Sequence, residues 1–208
     1  MTDGPEKVIF DEPEVKRGFL GRKYFSPPIK SPHFSNLQYK EQYDVVRAHM
    51  IVNPYSGKKK GITVANFVKE ELVSSKIDVK LHVTENPKHA ITIVKNLDLQ
   101  EGDTIVTVGG DGTFCEVISG LMARNDDSSS KIPLGLVPAG TGNSQANDME
   151  IEDYMDAVER ITKGRVRLID VAETKFLEDD EEVIRYSHNL VGWGLGVDSN
   201  ILAEKMRF

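Results

Sequence analysis

The chain has 208 residues, enough for one domain or one and a fraction. Its 26 basic residues face 33 acidic ones, a net charge of −7, and 39% of the residues are hydrophobic. That balance excludes a disordered acidic tail, which holds fewer apolar residues, and a general nucleic-acid binder, which needs a basic surplus to release counterions. The single cysteine, Cys115, cannot close an intrachain disulfide. The first ten residues lack the apolar core of a secretory signal, and no apolar run approaches the ~18 residues of a membrane span. A folded, cytoplasmic chain is expected.

Residues 1–44 show no sustained period and read as a loosely ordered N-terminal arm. Phe19, Phe25 and Phe34 stand among Pro27, Pro28 and Pro32, which break both helix and strand. Lys16, Arg17, Arg22, Lys23 and Lys30 make the arm locally basic, as in a solvated tail. The alternative is that its aromatics dock as a short strand.

From Val45 the texture alternates between strand and helix. A compact apolar run over 48–53, alternation over 77–84, and further extended segments over 103–108, 132–137 and 166–171 predict strands. Between them, Val64, Phe67, Val68 and Leu72 recur at helical spacing, and Asn86-Pro87 opens a helix carrying Ala90, Ile91, Val94 and Leu97. A helix past Thr113 carries Phe114, Val117, Ile118 and Leu121, and another covers 153–160. This alternation predicts an α/β fold over 45–165, a mostly parallel sheet with helices on both faces. Residues 166–208 are set apart from this alternation, and the resemblance given below makes them the start of a β-rich second domain. They open with two extended runs about an acidic turn, Glu178 to Glu182, which fits a solvated hairpin better than a metal site.

In parallel sheets ligands bind beyond the carboxyl ends of the strands, and three glycine-rich segments follow strands directly. The first is Asn53-Pro54-Tyr55-Ser56-Gly57, followed by Lys58-Lys59-Lys60-Gly61, where backbone N–H groups and lysine charge suit an anion. It is not a Walker A loop, because Ile62 follows Gly61 where a lysine is required. The second is Gly109-Gly110-Asp111-Gly112-Thr113. Asp111 there either ligates Mg²⁺ or takes a proton, or it merely caps the following helix. The third is Pro138 to Ser144, with Gly140, Thr141, Gly142 and Asn143 offering groups suited to phosphate or ribose. Each segment alone also reads as a tight turn; the three together, all after strands, point to a ligand. Cys115 reads as a packing residue.

The segments NPYSGKKKG (53–61), GGDGTFCEVISGL (109–121) and PLGLVPAGTGNS (133–144) resemble the lipid kinases of the diacylglycerol kinase and sphingosine kinase group, distant relatives of NAD kinase. RVRLIDVAE (165–173) and WGLGVDSNILAEKMR (193–207) are similar to the start of that family's second domain, a β-sandwich. The resemblance implies transfer of the ATP γ-phosphoryl group, with Mg²⁺, to a lipid hydroxyl at a membrane surface. On it, Asn53, Ser56, Gly57 and Lys58 hold nucleotide phosphate, and Asp111, between Gly109, Gly110, Gly112 and Thr113, is the base or metal-associated acid. Gly140 to Asn143 contact the nucleotide, Glu204 and Arg207 lie near it, and Asp198 and Asn200 lie on the lipid side.

Two features depart from the pattern. Asn200 stands where sphingosine kinases carry an acid that meets the headgroup ammonium, which leaves ceramide, diacylglycerol or another lipid alcohol open as acceptor. The family's second domain also normally continues well beyond the position matching Phe208, so this chain is expected to bind Mg-ATP weakly at best and to turn over little or no lipid. The competing readings are an NAD kinase-like enzyme and a catalytically silent nucleotide- or lipid-binding module.

Overall fold

The computed structural model describes residues 15–17, 23–25, 41–178 and 181–188. The chain divides into a unit over Met1–Tyr39 and a unit over Lys40–Phe208. In the first, β1 (Val15–Arg17) pairs antiparallel with β2 (Lys23–Phe25).

The second unit is built on β4 (Arg47–Val52), β5 (Asp78–Val83), β6 (Asp103–Gly109) and β7 (Leu134–Pro138). All three pairings in it are parallel, in the order β5-β4-β6-β7. Alternation sorts the strand residues between two cores. Ala48, Met50, Val52, Val106 and Val108 face one side, where they meet Ala65, Val68 and Leu72 of α1 (Gly61–Ser74). Ala157, Val158 and Ile161 of α6 (Tyr154–Lys163) join the same side. Ile51 and Ile105 face the other side, under Ala90 and Val94 of α2 (His89–Lys95) and Val117 and Leu121 of α3 (Asp111–Met122). The helices therefore cover both faces, and β6, buried at every position, lies in the middle. The short α4 (Ser128–Lys131) precedes β7, and α5 (Ser144–Asp148) follows it.

Several elements depart from their expected bounds; α6, for one, runs to Lys163 rather than ending at residue 160. The second helix begins at His89 rather than at Asn86-Pro87, because Lys88 turns into the left-handed region (φ 67). Its N–H donates to Glu116 Oε1 (2.9 Å), and the Glu85 N–H donates to His89 Nδ1 (3.1 Å), which holds 85–88 as a turn. The third helix starts at Asp111 instead of past Thr113, with the extended Gly110 as its cap residue. Strand β7 starts at Leu134, two residues later than expected. The predicted strand over 166–171 is present as β8 (Arg165–Val166), whose partner among the described residues is the two-residue β3 (Glu41–Gln42). Leu168 is 74% exposed.

That β3–β8 pairing places residues 41–44, read from sequence as arm, inside the α/β unit. The Tyr43 hydroxyl donates to the Asp103 carbonyl (2.9 Å) and accepts the Gly102 N–H (3.1 Å). The Tyr43 N–H donates to the carbonyl of Gly164, which ends α6 in the left-handed conformation (φ 59). A side chain at Gly164 would strike the Tyr43 carbonyl, so glycine is required there.

The acidic turn does sit in a hairpin, β9 (Ala172–Glu178) against β10 (Glu181–Ser187), antiparallel. Strand β10 packs on α3, where the Cys115 thiol donates to the Tyr186 carbonyl (3.0 Å). Cys115 is half-buried, and burial pushes its thiol pKa up, as befits a packing residue. An incomplete second domain predicts that Ile184, Tyr186, Leu190, Val191, Trp193 and Leu195 are poorly covered; Ile184 is 41% exposed, Tyr186 is instead partly buried against the core, and the other four lie outside the described residues.

Candidate functional site

Because the four central strands are parallel, their carboxyl ends, and the loops that leave them, share one edge of the sheet. The three glycine-rich loops leave β4, β6 and β7 at that edge, and each is locked to the next.

The first loop turns sharply after Val52. The Asn53 side-chain oxygen accepts the Tyr55 N–H (3.0 Å), while its Nδ2 donates to Thr113 Oγ1 on α3 (3.1 Å). Gly57, Lys58 and Lys59 then take left-handed angles (φ 56, 60 and 68) within the short turn over Ser56–Lys59. Left-handed angles cost a non-glycine residue about 1–2 kcal/mol, so two lysines here store strain of the kind found at ligand clamps. Lys58, Lys59 and Lys60 are exposed, and Ser56 is buried.

The second and third loops cross backbone to backbone. A Cβ on Gly140 would lie 2.5 Å from Gly110 Cα, and one on Gly57 would lie 2.5 Å from the Ala139 carbonyl oxygen. These glycines are therefore explained by the approach of one loop to another. Gly112 differs: a Cβ there would meet none of the described residues within 4 Å, whereas one on Gly109 or Gly110 would.

Asp111 sits in the first turn of α3 and does not cap its own helix. Its Oδ2 accepts the Ser144 N–H (3.0 Å) and its Oδ1 accepts the Gln145 N–H (2.9 Å). The carboxylate thus satisfies the open end of α5 and ties the second loop to the third. Asn143, left-handed at φ 52, closes the third loop on itself: its Oδ1 accepts the Gly140 N–H (2.9 Å) and its Nδ2 donates to the Gly140 carbonyl (3.1 Å). Thr141 and Gly142 are exposed at the tip. The structure therefore brings together Asn53, Ser56, Gly57, Lys58, Gly109 to Thr113 and Gly140 to Asn143. Asp198, Asn200, Glu204 and Arg207 lie outside the described residues.

Sequence reasoning missed two contributors to this edge. A fourth loop, leaving β5, is anchored where the buried Thr84 Oγ1 donates to the Val52 carbonyl (3.3 Å). Its Asn86-Pro87 pair is a turn signal and not the opening of the helix, which starts at His89. The other is His188, just past β10, whose ring meets Phe114 of α3 edge-on with centroids 4.9 Å apart. Nothing around it in sequence marks it.

Among the described residues no cluster of three or more His, Cys, Asp or Glu could hold a metal ion. Asp111 is the one acid of the three loops. A single carboxylate fits Mg²⁺ that arrives on nucleotide phosphates and keeps its waters, and does not fit a protein cage. Among the described residues, no helix is long and apolar enough to cross a membrane.

The family profile for the diacylglycerol kinase catalytic domain matches residues 47–174. Sphingosine kinase B of Dictyostelium discoideum is 39% identical over 174 residues, covering 80% of this chain and 23% of its own length. Sphingosine kinase 1 of Arabidopsis thaliana is 34% identical, covering 76% and 33%. The mitochondrial acylglycerol kinase of Xenopus laevis is 32% identical, covering 83% and 41%. The chain thus spans less than half the length of each. A solved structure described as a diacylglycerol kinase from Bacillus anthracis str. Sterne matches with a TM-score of 0.54 and 23% identity, over 69% of this chain and 49% of that one, a likeness of fold. The chain belongs to the diacylglycerol kinase catalytic-domain family of lipid kinases.

Proposed function

We propose that this site carries an ATP-dependent lipid kinase reaction, the transfer of the γ-phosphoryl group to the hydroxyl of a lipid alcohol at a membrane surface. What supports the reading is the locked edge: the three loops hold one another in place, a Cβ on Gly112 would meet none of the described residues within 4 Å, and the carboxylate of Asp111 is fixed by two N–H groups. Phosphoryl transfer asks a protein chiefly for positioning and charge stabilisation, and these parts supply both.

On this reading the backbone and lysines of 56–60 hold the nucleotide phosphates, with Asn53 and Thr113 fixing that loop against α3. Gly112 lets the phosphates come close to the backbone. Mg²⁺, when bound with the nucleotide, neutralises charge on the phosphates, and Asp111 is the residue to hold it or to take the acceptor proton. Asp111 is kept in place by the two α5 N–H groups, so its orientation needs no ligand. The third loop, closed by Asn143, presents Thr141 and Gly142 to the nucleotide. Asp198 and Asn200 on the lipid side, and Glu204 and Arg207 near the nucleotide, complete the proposal. The neutral Asn200 favours an acceptor without an ammonium group.

The test is a labelled-phosphate transfer assay on the whole chain, offered sphingosine, ceramide, diacylglycerol and NAD in parallel. Label in a lipid above the protein-free control, however slow, supports the reading. Label in NAD, or nucleotide binding with no transfer to anything, contradicts it and selects the NAD kinase-like or silent alternative. Asp111→Asn is expected to abolish the transfer while lowering stability by about 1–2 kcal/mol, the loss of one strong cap interaction. Full transfer by that variant would remove Asp111 from the chemistry.

A further inference from the structure

Among the described residues, three side chains have buried polar atoms without a hydrogen-bond partner: His49, Thr107 and His188. Native proteins leave few such groups, and each calls for an explanation. His49 Nε2 faces Asp103 Oδ2 at 3.4 Å, and the Thr107 hydroxyl lies within the core of β6. His188 is different, because neither of its ring nitrogens has a partner and it stands beside the candidate site.

Helix geometry says which side of α3 it occupies. Asp111, Phe114, Cys115 and Ile118 share one face at i, i+3, i+4 and i+7 spacing, while Thr113 and Glu116 point elsewhere. His188 packs edge-on against Phe114, and Tyr186, two residues earlier, takes the Cys115 thiol. The ring therefore lies on the Asp111 face. The first loop reaches α3 through Thr113, on a different face. The charges acting on the ring are those of Asp111 and Asp148, which oppose the larger effect of burial; burial holds the imidazole pKa below its ordinary value.

We infer that His188 faces the substrate, one of its ring nitrogens hydrogen-bonding the hydroxyl of the alcohol acceptor and holding that oxygen on the Asp111 face of α3. A neutral imidazole has one donor and one acceptor, and a hydroxyl, which is both, can satisfy either. A phosphate oxygen only accepts, and the nucleotide-phosphate loop lies on the other face. His188 then orients the acceptor while Asp111 works on it. This inference rests on the proposed transfer to an alcohol.

The experiment is ring-nitrogen NMR on the full chain labelled with ¹⁵N-histidine, His188 being assigned from His188→Phe. The probes are dioctanoylglycerol, N-hexanoylsphingosine and sphingosine in nonionic micelles, empty micelles, and Mg-ATP. A His188 nitrogen is expected to shift with at least one alcohol, and neither with empty micelles nor with Mg-ATP alone. His188→Phe, which keeps an aromatic ring against Phe114, should weaken acceptor binding about tenfold, His188→Gln about threefold at most, with Mg-ATP affinity unchanged in both. Ring nitrogens that no alcohol moves, or that Mg-ATP alone moves, overturn the inference, as does equal acceptor affinity of the Phe variant. If Mg-ATP still perturbs the amides of 109–113 in that case, the kinase reading stands and only the role of His188 falls.

Discussion

Gly112 and Gly140 sit in neighbouring glycine-rich loops, yet the space around them differs, and that difference separates folding from ligand approach. Gly112→Ala puts a methyl into open space on a helical residue, so stability should hold or rise by about 0.5–1 kcal/mol. Nucleotide affinity should fall, because the methyl lies where phosphate has to come. Gly140→Ala drives a methyl to 2.5 Å from Gly110 Cα and should destabilise by about 1–3 kcal/mol, as overpacking does. Denaturant melts with calorimetric titration of Mg-ATP read both effects; a Gly112→Ala protein that binds as well as the parent would mean the open face is not the phosphate face. Lys58 belongs to the same argument. At φ 60 a glycine relieves strain, so Lys58→Gly should stabilise by about 1 kcal/mol and still weaken nucleotide binding. Gain in one and loss in the other is the mark of strain kept for a ligand.

Among the elements, β6 and the β9–β10 hairpin mark the extremes. Every residue of β6 is buried between two strands, whereas Phe176, Leu177 and Ile184 of the hairpin stay exposed and the described contacts to α3 run through Cys115, Tyr186 and His188. Hydrogen exchange should therefore show β9 opening well before β6, and equal protection would mean that the hairpin is covered by more than α3. The buried strands were legible from sequence because 48–52 and 103–108 are short segments rich in Ile and Val that end in loop residues. The glycine-rich loops were legible because their composition is costly in a plain turn. What escaped detection depends on partners distant in the chain. The two-residue β3 and β8 have no period to read, and of the strand expected over 166–171 only Val166 is paired among the described residues. Asp111 reads as a cap for its own helix, since only the fold brings Ser144 and Gln145, more than thirty residues on, to its oxygens.

Across the unit over Lys40–Phe208, a titratable network stands at the strand starts and the proposed site at the strand ends. Near the strand starts, Arg47 donates twice to Asp103 (2.9 and 2.7 Å), and His49 Nδ1 shares a hydrogen bond with His82 Nε2 (3.2 Å). Burial holds both imidazoles below their ordinary value of about 6.5, so the unfolded chain binds protons that the folded chain refuses. Stability conferred by neutral His49 and His82 is present above about pH 6.5 and is lost as pH falls from there through the folded pKa values. Burial pulls Asp103 up, but the Arg47 hydrogen bonds, the Gln100 N–H and the nearby positive charges outweigh it, so its own contribution is lost only below the usual carboxylate range. Denaturation between pH 7.5 and 5 should show falling stability and a shallower slope for His82→Gln; a flat profile in the parent would remove the pair from the account. Because that network lies away from the loop edge, it should not respond to nucleotide. The most direct test of the central claim follows from this separation: titrate the labelled chain with Mg-ATP and map the amide shifts. Saturable shifts gathered in 53–60, 109–113 and 140–143, leaving 47–49 and 103 still, are the predicted result. No saturable shift, or shifts centred on Arg47, His49 and Asp103, would contradict it.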